Sequence, residues 1–106
     1  SPLGFFPFSV KKMYSSKNTR VPRIGWYETS FTKSNIRESF YLYYAHSYYI
    51  NDEKEMFTEM HTYHDRKKIT AVLRKNNILG FQFHPELSGV DGENIFNELV
   101  RKYDNR

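Results

Sequence analysis

Ile78-Leu79-Gly80-Phe81-Gln82-Phe83-His84-Pro85-Glu86-Leu87-Ser88-Gly89, followed by Gly92, is the stretch on which the reading of this chain turns. Up to Phe83 it has the period of two that marks a strand with unlike faces. Leu79, Phe81 and Phe83 share one face, while Gly80 and Gln82 bring little bulk to the other. Pro85 has no N–H to give to a ladder, so the strand stops there. His84 and Glu86 are then left at the carboxyl end of a strand, the edge at which open α/β sheets generally place their sites.

Downstream, Gly92 to Tyr103 spaces Ile95, Phe96, Leu99, Val100 and Tyr103 three and four apart, which predicts a helix. Asp91 is placed to cap its start, and Lys102 sits near its end, where the helix dipole favours a cation. Upstream, Lys68 to Arg74 and Ile78 to Phe83 flank Lys75-Asn76-Asn77, the pattern of an antiparallel hairpin. Met56 to Tyr63 alternates in the manner of a strand, and the Tyr- and Phe-rich run Phe40 to Ser47 suits a pleated surface. Val21 to Glu28 and Phe8 to Met13 read as short strands, joined by a polar loop within Lys11 to Pro22. The expected class is α/β: mixed or antiparallel strands with a C-terminal helix, forming one side of a larger sheet.

At 106 residues the chain amounts to one domain or part of one, and its 18% aromatic content supplies a core. It has no cysteine, which removes disulfides, Cys-ligated metals and a thiol nucleophile of its own, and fits an intracellular protein. No apolar run approaches the roughly 20 residues that span a bilayer. The N-terminal Ser1-Pro2-Leu3-Gly4-Phe5-Phe6-Pro7-Phe8 lacks a basic leader and is broken by prolines, so it reads as a truncation or processing point rather than a signal peptide. The net charge of +4 is spread among acids, apart from Arg66-Lys67-Lys68, which reads as a solvated turn.

By spacing alone, His84-Pro85-Glu86 at a strand end reads first as a turn with a surface carboxylate; the other reading is an imidazole and carboxylate that look like the second half of a catalytic triad. Imidazole titrates near neutral pH, so it can take a proton from a thiol and return it to a leaving amine. A carboxylate on its other ring N–H fixes the tautomer and stabilises the imidazolium. The bend at Pro85 must bring His84 and Glu86 together for this to hold.

The segment from Ile78 to Gly89 resembles the terminal signature of class I glutamine amidotransferases, whose His and Glu complete a Cys-His-Glu triad. Within that superfamily the chain resembles the glutaminase subunits of imidazole glycerol phosphate synthases. Pro22-Arg23-Ile24-Gly25-Trp26 is similar to their Pro-x-x-Gly-Trp element, with Arg23 where His is common. Tyr41-Leu42-Tyr43-Tyr44-Ala45-His46-Ser47-Tyr48-Tyr49 is similar to their Tyr-Phe-Val-His-Ser-Tyr strand, and Leu3-Gly4-Phe5-Phe6-Pro7 to a Gly-Leu-Gly-x-x-Pro segment.

That resemblance implies that residues 1–106 are the C-terminal portion of an amidotransferase domain whose Gly-x-Cys-x-Gly nucleophile elbow belongs to the first half. It implies His84 as general base and acid, Glu86 as its orienter, and Ser47 and Tyr48 as residues that hold glutamine. Trp26, His46 and Leu87, the last standing where Lys or Arg is common, match the face toward a cyclase or synthase partner. No cofactor is implied, the compartment would be cytoplasmic, and the chain alone would be inactive.

Two further readings of the family match remain. One is an amidotransferase feeding ammonia to another synthase, such as one making surface-polysaccharide amino sugars; the other is a non-catalytic interaction module of the same fold. His61 and His64 with Asp65 do not lie on one strand face, so no metal is expected. The aromatic strand lacks a basic track, so nucleic acid is not an expected partner, and without a long apolar run neither is a membrane. Losing half a sheet would expose an apolar margin, and self-association of the fragment is expected.

Overall fold

The computed structural model describes residues 8–17, 19–33 and 38–104. Among these the chain runs β1 (Ser9–Lys12), β2 (Arg23–Phe31), β3 (Ser39–His46), β4 (Tyr48–Asn51), β5 (Thr58–His64), β6 (Lys67–Lys75), β7 (Ile78–Phe81), a 3₁₀ turn (Pro85–Leu87) and α1 (Gly89–Asp104). The Leu3–Pro7 segment read above lies outside the described residues.

The larger sheet has the order β3-β2-β5-β6-β7, and β1 and β4 form a separate pair. Every ladder among the described residues is antiparallel. Lys75 pairs with Ile78 around Asn76-Asn77, with Asn76 at φ 53°. Asp65 and Arg66, both at positive φ, turn β5 into β6, so the basic run divides between a turn and the start of β6. β5 alternates as its sequence implies: Thr58, Met60 and Thr62 are buried, and Glu59, His61 and Tyr63 face outward.

β2 meets β5 through Thr29–Phe31. Leu42 and Tyr44 of β3, Met60 of β5, and Ala71 and Val72 of β6 enclose the core with Phe83, Ile95 and Leu99. Phe81 packs on Phe96 of α1 at 5.3 Å, and Phe83 meets Tyr44 at 5.9 Å. The helix thus buries its Ile95 and Leu99 stripe against the strands. Met13, Tyr49 and Ile69 form a smaller cluster under the β1–β4 pair.

Two features differ from the sequence reading. The strand read over Phe40 to Ser47 is present as Ser39–His46, but Tyr48–Asn51, to which no strand was assigned, forms a further strand that pairs with β1. Helix α1 begins at Gly89 rather than Gly92, so Asp91 lies in its first turn and faces the dipole instead of capping the end. Among the described residues, no helix is long and apolar enough to cross a membrane.

Candidate active site

β7 ends at Phe81, but Gln82 extends the ladder with its N–H on the Ala71 carbonyl at 2.8 Å. Two residues later the His84 N–H donates to the Tyr43 carbonyl at 2.9 Å. Tyr43 belongs to β3, the opposite edge of the sheet. The chain leaving β7 therefore bridges both edges, and that bridge carries His84.

Pro85 then tightens the backbone into the 3₁₀ turn, with Leu87 and Ser88 N–H groups on the His84 and Pro85 carbonyls. This bend does what the sequence required of it. His84 Nδ1 lies 3.3 Å from Glu86 Oε2, with the imidazole 42% exposed and the carboxylate 66% exposed. With Nδ1–H donating to the carboxylate, Nε2 is the ring's acceptor. The pair stands beside an open groove lined by Pro85, Glu86, Gly89, Val90, Glu93 and Phe96.

Ser88 was not singled out by sequence and is buried in the middle of this arrangement. Its hydroxyl donates to the His84 carbonyl at 2.6 Å and accepts the Tyr43 N–H at 2.9 Å. The available signal was a serine four residues after the histidine, a spacing at which hydroxyls bond back to a carbonyl. Gly92 explains itself here too: a Cβ on it would collide with the Ser88 Cβ and lie 2.8 Å from the Pro85 carbonyl oxygen.

Trp26 is 53% exposed and meets Tyr43 edge-on at 5.8 Å, on the same outward sheet face as Ile24 and Tyr41. Leu87 and Tyr48 are also exposed, and Ser47 is half-buried, its carbonyl accepting the Met13 N–H at 2.8 Å. His46, read beforehand on a partner-facing surface, instead points inward. Its Nδ1 lies 2.8 Å from the Tyr48 carbonyl and its Nε2 lies 3.3 Å from Arg23 Nη1, so both nitrogens are engaged within the chain. Burial, opposed by the Tyr48 bond and reinforced by the Arg23 charge, lowers its pKa from 6.5 to about 4.

Arg23 is the second residue that sequence reasoning undervalued. It is 1% exposed, and its guanidinium lies between the Tyr27 ring at 3.7 Å and the Tyr44 ring at 4.4 Å. A charged residue at the start of a strand carries no sequence mark of such burial. Among the described residues, no group of three or more His, Asp or Glu side chains is placed to hold a metal ion.

A family model, Glutamine amidotransferase class-I, matches residues 9–102. The chain belongs to that family. Among the relatives of this chain are proteins named imidazole glycerol phosphate synthase subunit HisH. The one from Trichodesmium erythraeum is 31% identical over 94% of this chain and 50% of its own length. The one from Gloeothece citriformis is 30% identical with the same coverage. That of Bacteroides fragilis is 36% identical over 92% of this chain and 51% of its own. The chain thus spans about half the length of the curated relatives it matches.

Proposed function

We propose that this chain supplies the general base and its orienting carboxylate, His84 and Glu86, to a glutaminase whose thiol stands on a first half of the same domain. The observation that carries this is the 3.3 Å His84–Glu86 contact at an exposed sheet margin in an amidotransferase-family chain. In this reading His84 Nε2 takes the thiol proton and the thiolate attacks the side-chain amide carbon of glutamine. The tetrahedral intermediate collapses with cleavage of the C–N bond, and His84 returns the proton to the leaving nitrogen, releasing ammonia. His84 then removes a proton from water, which attacks the thioester, gives glutamate and restores the thiol. Glu86 holds the ring tautomer and offsets the imidazolium charge in each half.

Ser47 and Tyr48 are proposed to hold glutamine, and the exposed Trp26 and Leu87 to face the synthase partner that receives ammonia. The names of the relatives favour an imidazole glycerol phosphate synthase over a synthase for surface polysaccharides; the pathway is proposed to be histidine biosynthesis and the compartment the cytoplasm. The chain has no cysteine, so alone it is proposed to be inactive. The test is a glutamine-analogue electrophile that alkylates an activated thiol. Label should enter a polypeptide joining the nucleophile-bearing half to residues 1–106 and be lost on His84→Ala; equal labelling of both would refute the assignment.

A further inference from the structure

We propose that Arg23 is a positioning residue for the segment Ser47–Tyr48, acting through His46. This rests on the reading that Ser47 and Tyr48 hold glutamine. Guanidinium groups only donate, so the 3.3 Å contact from Arg23 Nη1 makes His46 Nε2 an acceptor. The ring proton must then sit on Nδ1, which donates to the Tyr48 carbonyl at 2.8 Å. With Met13 holding the Ser47 carbonyl from the other side, consecutive carbonyls are pinned where β3 gives way to β4. A free imidazole with the other tautomer would turn a lone pair toward the Tyr48 oxygen and release that hold.

Arg23 is itself held by several contacts. Nη2 donates to Thr62 Oγ1 and to the Tyr63 carbonyl, each at 2.9 Å, and the guanidinium carbon lies over the Tyr27 and Tyr44 rings, which meet edge to face. Thr62 in turn donates to the Glu28 carbonyl at 2.8 Å, tying the guanidinium to the β2–β5 junction. Arginine keeps its charge at any working pH, whereas a histidine at this position would not, and lysine lacks the planar fork. The chain thus carries a permanent cation where its resemblance leads one to expect a second imidazole.

The test uses the polypeptide that joins residues 1–106 to the nucleophile-bearing half. Nitrogen-15 NMR of the imidazoles should find His46 protonated at Nδ1, and Arg23→Met, which leaves only the Tyr48 carbonyl to select it, should lower the share of that tautomer. The same variant should raise KM for glutamine by about 10-fold with kcat within about 2-fold, the mark of lost substrate positioning. His46→Leu should raise KM similarly, while His46→Asn, which keeps a donor near the Nδ1 position, should recover most of it. An unchanged tautomer in Arg23→Met, an unchanged KM in folded variants, or no difference between His46→Asn and His46→Leu overturns the proposal. If Arg23→Met fails to fold, the two His46 variants decide it. Failure of the underlying glutaminase reading shows separately, as a His84→Ala variant that still hydrolyses glutamine.

Discussion

The Ser88 hydroxyl donates to the His84 carbonyl at 2.6 Å while accepting the N–H of Tyr43, which itself receives the His84 N–H on its carbonyl. One buried hydroxyl thus locks the turn after β7 to the far edge of the sheet. Replacing Ser88 with Ala leaves a carbonyl and an N–H without that partner, and should cost roughly 1–3 kcal/mol of stability. Urea unfolding of wild type and Ser88→Ala measures this; a difference below about 0.5 kcal/mol, the level of a neutral surface change, would contradict the role.

Gly92→Ala should also destabilise, against helix propensity. Alanine is ordinarily favoured over glycine inside a helix by about 1 kcal/mol. Here the added methyl meets the Ser88 Cβ and the Pro85 carbonyl, and both belong to the turn that carries Glu86. Overpacking of this kind costs about 1–3 kcal/mol. Denaturation midpoints decide between the two effects, and a stabilised Gly92→Ala would show that the turn yields freely.

The pH dependence of stability follows from His46. Its pKa is lowered to about 4 in the folded chain, so its contribution is complete above pH 6.5 and is lost as pH falls from there toward 4. At about 1.4 kcal/mol per pH unit, the loss is ~3 kcal/mol. Burial lowers His61 and His64 in the same direction, so wild type should weaken further than this one group requires. His46→Gln should shed less stability than wild type between pH 7 and 4 in urea titrations; equal losses would remove His46 from the account.

Ile24, Trp26, Tyr41 and Ala45 present an apolar outward face on β2 and β3. Residues 1–106 prepared alone should therefore self-associate through it. Light scattering should report a species larger than a monomer, reduced by Trp26→Ser; a strictly monomeric folded preparation would speak against this.

The strands and the helix were legible because alternation and helical spacing reflect burial directly. Met60, Leu99 and Phe83 all fall on the faces their spacing assigns. The end of the aromatic strand at Ser47 was legible, but the separate strand Tyr48–Asn51 was not, because aromatic residues suit either of the two sheets that meet there. His84 and Glu86 were found from a motif, and their contact depended on a bend that Pro85 made foreseeable. The placements of Ser88 and Arg23 depend on which strands lie side by side, and Arg23 meets His46 and Thr62 across β2, β3 and β5. No local pattern encodes that. A hydrogen-bonded core position for His46 is the ordinary reading of a histidine in an aromatic strand, and only the resemblance set it on a partner face.

The most direct test of the account is the glutamine turnover of the polypeptide joining residues 1–106 to a nucleophile-bearing half, with His84→Ala and Glu86→Gln compared with wild type. A general base and acid contributes about 100-fold to 10,000-fold. His84→Ala should therefore lose at least about 100-fold in kcat, and Glu86→Gln should lose less, with KM for glutamine little changed in both. A His84→Ala protein that releases ammonia from glutamine at the wild-type rate would contradict the account at its centre.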